Sequence, residues 1–271
     1  MCPGGLLLAS LLVSGCGTSS PGSITKGVGG GSSAAAPTVS TGAQLGLIWN
    51  PADSTLRSLA GVPGSTQLGA ALFPAGTYSA GAFASPTQTA LLIDPKGNLQ
   101  VMVLPSTQPE TLTQNLSPAS SIVFAPRGAY AAVFVPASTS VLLVSGLPQA
   151  PTVNTLTAPA AIQGVSISDA GTLLVATGKT SVTVTSITAA GARTTLATLA
   201  GFGGMSFIAG SEDSLIADSA ANTLARYHNG IASILATHAN GLNQPFAVAA
   251  SQDAHWQSPP IRLTAFCCAS I

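Results

Sequence analysis

Three histidines, His228, His238 and His255, are the side chains of this chain best suited to proton transfer or metal ligation near neutral pH. No two of them have the spacing of paired metal ligands. A nucleophile elbow of the form G-x-S-x-G is absent. The nearest approach, Gly203-Gly204-Met205-Ser206, leads into a strand pattern with no helix behind it. Glu212, Asp213 and Asp218 form an acidic cluster. Acid–base catalysis needs two carboxylates held in differing environments, whereas the Ser and Asn residues around these three read as a solvated turn. Asp94 and Asp218 each follow an apolar run and open a turn, where a carboxylate accepts hydrogen bonds from nearby backbone N–H groups. The four cysteines are Cys2, Cys16, Cys267 and Cys268, with none between residues 17 and 266. The body of the fold therefore uses neither a disulfide nor a thiolate metal site.

The elements that must position these groups are short. Apolar residues make up 46% of the 271, and charged residues only 6%, against roughly 25% in an ordinary soluble protein. Eight basic side chains balance eight acidic ones, so no net field draws the chain to nucleic acid or to an anionic surface. The 29 glycines and 19 prolines punctuate the sequence with turns and argue against long helices. No apolar run is long enough for a membrane-spanning helix. Trp49, Trp256, Tyr78 and Tyr227 are too scattered to form a stacking surface.

The amino terminus reads as an address. Residues 6–13 (LLLASLLV) form a short apolar core followed by small residues, the pattern of a secretory signal over residues 1–15. Val13-Ser14-Gly15-Cys16 resembles the lipobox of bacterial lipoproteins, although no Lys or Arg precedes the apolar run. The resemblance implies that Cys16 becomes the lipidated first residue of the mature chain. Its acyl chains would anchor the protein to a membrane at about 0.8 kcal/mol per buried CH₂. Residues 16–44, with GVGGGSSAAAP at their centre, read as a flexible linker. Gly27, Gly29, Gly30 and Gly31 have no strand before them and no helix after, so they are not a phosphate loop.

A repeat begins at Leu45. Its turns are anchored at Pro51, Pro95, Pro136, Gly178 and Ser219, in steps of 44, 41, 42 and 41 residues. Each unit carries four strand-sized pieces, as in GVSI, TLLVA, VTVTSI and TTLATL within residues 164–199. The second piece of each unit (LLI, AVFV, LLVA, LIA) is almost continuously apolar, the mark of a strand covered on both faces. Four short strands per roughly 42 residues define a propeller blade. The stretch LIADSAANTL, residues 215–224, is similar to the NHL and YVTN propeller repeats, while the Gly-His and Trp-Asp signatures of WD-type propellers are absent. The expected fold is all-β: a propeller of about five four-stranded blades over residues 45–256, followed by an irregular tail over residues 257–271.

The first unit starts at its second piece, so residues 246–250 are expected to supply its innermost strand and close the ring. A second reading makes the chain a truncated or open propeller. In it residues 243–256 begin a sixth unit, Pro259-Pro260 fall where its second strand belongs, and the tail with Cys267-Cys268 comes from truncation or a frame change.

Propeller ligands bind near the axis, at the starts of the innermost strands. Those segments place Tyr78, Ser121, Gln163, Ser206 and Asn243 on the lining, with Ser79, Ser120 and Gln244 beside them. A hard cation takes six to eight oxygens, typically with carboxylates among them. This neutral lining disfavours the calcium of lactonase-like propellers, and no cofactor is expected. The reading is an envelope-anchored binding or scaffold module for a protein or cell-wall ligand. The alternatives are a lactonase-like envelope hydrolase and a truncated propeller without function.

Overall fold

The computed structural model describes residues 44–62, 65–250 and 264–265, all in one compact unit, Val39–Ile271. The lipobox-like segment, Cys16, the linker before Gln44, His255, Trp256, Cys267 and Cys268 lie outside the described residues.

The chain is an all-β propeller protein. The first sheet has three strands, β1 (Gln44–Asn50), β2 (Thr55–Val62) and β3 (Ser65–Ala71). Four four-stranded antiparallel sheets follow. The second holds β4 (Ala80–Ala84), β5 (Thr89–Ile93), β6 (Leu99–Val103) and β7 (Glu110–Thr113). The third holds β8 (Ser121–Phe124), β9 (Ala131–Phe134), β10 (Ser140–Ser145) and β11 (Thr152–Thr157). The fourth holds β12 (Ile162–Ile167), β13 (Leu173–Thr177), β14 (Val182–Ile187) and β15 (Arg193–Leu199). The fifth holds β16 (Phe202–Phe207), β17 (Ser214–Asp218), β18 (Thr223–His228) and β19 (Ile231–Ala236). Each sheet is finished before the chain moves to the next.

The continuously apolar second strands behave as their composition requires. Strands β5, β9, β13 and β17 are buried at every residue. Their alternate side chains serve different neighbours, because successive residues of a strand face opposite sides. On β5, Ala90 and Leu92 pack with Leu56 of the first sheet, while Leu91 and Ile93 pack with Ala131 and Val133 of the third. On β13, Leu173 and Val175 join Phe134 and Val141 of the third sheet, while Leu174 and Ala176 join Phe207 and Ile216 of the fifth. Fully burying a Leu or Ile contributes roughly 2 kcal/mol, so each strand stabilises two interfaces.

Hydrogen bonds also step along the repeat. The Asp169 carboxylate accepts the Arg127 N–H at 2.7 Å and the Gly210 N–H at 2.8 Å. These partners lie 42 and 41 residues away, in the matching turns of the sheets on either side. Asp169→Ala is therefore expected to lower stability by about 2 kcal/mol. A calorimetric scan would show this as a fall in Tm of roughly 4–8 °C, with Asp169→Asn losing less.

The ends need one confirmation and one correction. Strand β1 starts beside the β4–β5 turn, where a Cβ on Gly46 would lie 3.2 Å from Ser85 Oγ, and ends with the Trp49 ring over Gly81 of β4. It thus runs opposite to β4, as a second strand should, and the first sheet lacks an innermost strand among the described residues. The expected closure by residues 246–250 does not occur. Strand β20 (Val248–Ala249) pairs with β21 (Thr264–Ala265) and lies beside β16, at the place of a sixth innermost strand. Gly203 and Gly204 allow this approach: a Cβ on Gly203 would meet Pro245 O at 2.5 Å, and one on Gly204 would meet Ala247 Cα at 3.0 Å. The second strand of this unit falls at residues 264–265, beyond Pro259-Pro260.

Candidate functional site

The innermost strands β4, β8, β12, β16 and β20 stand in succession, and they carry three of the expected axial residues. Ser121 is half-buried at the start of β8. Gln163 is exposed on β12, and its amide donates to Gly178 O across the start of the sheet. Ser206 is half-buried on β16 and donates to Phe207 O at 3.2 Å. Asn243 is exposed in the segment leading to β20. Tyr78 is a core residue: it is 6% exposed, packs with Leu56, Leu92 and Met102, and meets Phe73 edge-on at 5.1 Å. Burial, and then the Asp94 charge, push its hydroxyl pKa up.

The aspartates bind the chain's own donors. Asp94 accepts N–H bonds from Lys96 at 2.8 Å and Asn98 at 2.9 Å, and its second oxygen accepts the Asn98 amide at 2.6 Å. Burial raises this carboxyl, but those bonds outweigh it and hold the group below its usual range. Asp218 accepts four backbone N–H groups, from Ala200, Gly201, Ala220 and Ala221, at 2.8–3.1 Å. Asp53 accepts Arg57 Nε at 2.6 Å. The turn reading of Asp94 and Asp218 holds in detail.

Asp213 departs from the solvated-turn expectation. It is 7% exposed and receives two side chains from β18: Arg226, through Nε at 2.9 Å and a terminal nitrogen, and His228, through Nδ1 at 2.7 Å. An ionised carboxylate only accepts, so Nδ1 carries the proton. His228 Nε2 lies 3.1 Å from Asn229 Nδ2. The hairpin register explains the cluster. Ser214 pairs with Tyr227, so the preceding Asp213 stands opposite His228, and Arg226 shares that face. A carboxylate that orients an exposed imidazole is a piece of general-base equipment, but among the described residues no hydroxyl or thiol nucleophile is bonded to this ring.

Burial raises the Asp213 carboxyl, while Arg226 and His228 more than offset this and hold it below its usual range. A depressed folded pKa contributes stability above the unfolded value, near 3.9, and that stability is lost as pH falls through the folded value. Tm is therefore expected to fall as the pH drops below about 4. Asp213→Asn should show a shallower acid decline in the same calorimetric series. Among the described residues, no three His, Cys, Asp or Glu side chains come together as metal ligands.

No protein-family model matches the chain, and no curated protein matches its sequence. Among solved structures it is similar to a chain of a nidogen–laminin complex, with 15% identity over 76% of this chain and 81% of that one, at a TM-score of 0.52. It is also similar to a candidate 6-phosphogluconolactonase from Bacteroides uniformis, with 14% identity over 77% of this chain and 71% of that one, at a TM-score of 0.49. A virginiamycin B lyase from Staphylococcus aureus, solved with quinupristin, is 11% identical over 73% of this chain and 68% of that one, at a TM-score of 0.49. The likeness to the first supports the propeller fold; at this identity it says nothing of activity.

Proposed function

We propose that this chain is a non-catalytic binding module: a propeller of the NHL and YVTN kind, held on a bacterial envelope through lipid on Cys16. It presents its axial loops to a protein or cell-wall ligand. One observation supports the reading most. Asp53, Asp94, Asp169, Asp213 and Asp218 are each engaged by backbone N–H groups or by Arg and His side chains of the fold itself. Carboxylates committed in this way hold sheets and turns together. The recognition surface is left to neutral side chains such as Ser121, Gln163, Ser206 and Asn243.

Calorimetric titration with calcium, followed by a lactone hydrolysis assay, tests the binding reading. No stoichiometric heat and no calcium-dependent turnover are expected; stoichiometric binding together with turnover would replace the module with a hydrolase. Metabolic labelling with a radioactive fatty acid tests the anchor. Label is expected on the parent chain and absent from Cys16→Ala, and equal label on both would remove the tether.

A further inference from the structure

We propose that the cleft between the fourth and fifth sheets binds a small alkylammonium ion, a primary amine on a stem of about four carbons. The cleft arises from one short turn. The second, third and fourth sheets join their third and fourth strands through residues 104–109, 146–151 and 188–192. The fifth uses only Asn229 and Gly230, with φ of 51° and 79°. Both residues are left-handed, the requirement of a two-residue hairpin turn. The short turn leaves open space: a Cβ on Gly230 would meet nothing within 4 Å.

The resulting volume is about 140 Å³, near the roughly 150 Å³ of a cavity that accepts a benzene ring. Leu174, Leu196 and Phe207 give it an apolar wall for the stem, and Ser186 and Ser214 add hydroxyl acceptors. Glu212 supplies the charge. It lines the cleft, is exposed, and has no hydrogen-bond or ion-pair partner among the described residues, unlike the five described aspartates. The nearest cations of the fifth sheet do not neutralise it. Arg226 and His228 alternate with the cleft-lining Tyr227 on β18, so they leave by the opposite face and are bound to Asp213. An anion would be repelled here, and a neutral alcohol would gain only the burial of its stem. The site stands whether or not Cys16 is acylated, and it shares no residue with the axial loops.

The test is an NMR titration of the ¹⁵N-labelled full chain with n-butylamine, n-butanol and butyrate at pH 7. Saturable shifts at Ser214, Asn229 and Gly230 are expected with the amine. A partly exposed ion pair is worth up to about 1 kcal/mol, so the amine should bind about five-fold more tightly than the alcohol, and butyrate should not bind. Glu212→Gln, which breaks no hydrogen bond or ion pair among the described residues, should bring the amine to the level of the alcohol. Equal affinity for amine and alcohol in the parent, unchanged amine affinity in Glu212→Gln, absence of saturation, or shifts centred elsewhere would each overturn the site.

Discussion

Asp218→Ala is expected to cost about 4 kcal/mol, roughly twice the loss expected for Asp169→Ala. One oxygen accepts Gly201, Ala220 and Ala221 N–H, and the other accepts Ala200 N–H. The carboxylate thus joins the entry into β16 to the turn between β17 and β18, and it is 8% exposed. A hydrogen bond to a charged group is worth about 1.5–3 kcal/mol net. The sum is reduced because Ala220 and Ala221 are exposed and can turn to water. For a domain of this size the loss corresponds to a fall in Tm of roughly 10 °C. Asp218→Asn keeps one acceptor oxygen and should lose less than half as much. A fall of under about 2 °C for Asp218→Ala in a calorimetric scan would show that the turn forms without its carboxylate.

Gly203→Val is expected to cost about 3 kcal/mol, at the upper end of overpacking penalties. Its Cβ would stand 2.5 Å from Pro245 O, 3.0 Å from Ala217 O and 3.1 Å from Ser219 N. All three are backbone atoms. Ala217 and Ser219 are fixed by the pairing and turn of β17, so the yielding partner is the segment that carries β20. The change should release Leu242 and Val248 from their packing on Leu215 and Leu224. Limited proteolysis read by mass spectrometry should then show early cleavage within residues 242–250, with the preceding sheets intact. Gly76→Ala serves as the control. Its φ of 74° is strained for alanine, but no atom lies within 4 Å of the new Cβ, so only about 1 kcal/mol is expected. Equal protease resistance in Gly203→Val and the parent would refute the close approach.

The blade architecture was legible because burial on two faces leaves a mark on composition. TALLI, AAVF, LLVAT and SLIAD cannot alternate when neighbours cover both sides. The turn role of Asp94 and Asp218 was legible for a local reason: Asp94 binds donors of Lys96 and Asn98, and Asp218 those of Ala220 and Ala221, all within four residues. The Asp218 bonds to Ala200 and Gly201, 18 and 17 residues away, were as hidden as those of Asp213. Asp213 was not. Its partners lie 13 and 15 residues away and become apparent only once the hairpin register sets Ser214 against Tyr227. The loop position of Tyr78 points to the axis, yet the approach to β4 folds its ring against Phe73 and into the first interface. The strand around Val248 is innermost, as its sequence suggests, and of the two readings of the chain's end the structure has the beginning of a sixth unit, with β20 paired to β21. Five periods and the beginning of a sixth both fit the spacing, and the choice lies in tertiary packing. The paired glycines of β16 mark only where β20 comes up against it: Gly204 has a φ of 101° and faces the backbone at Ala247.

Amide hydrogen exchange at Arg127 and Gly210 tests the central claim most directly, that successive repeats stand side by side with carboxylates tying them together. Each N–H is bonded to Asp169, in a turn one repeat away. Both amides are predicted to exchange slowly in the parent chain and to become fast together in Asp169→Ala, while those of β13 stay protected. Fast exchange in the parent, or slow exchange that survives loss of the carboxylate, would contradict the account.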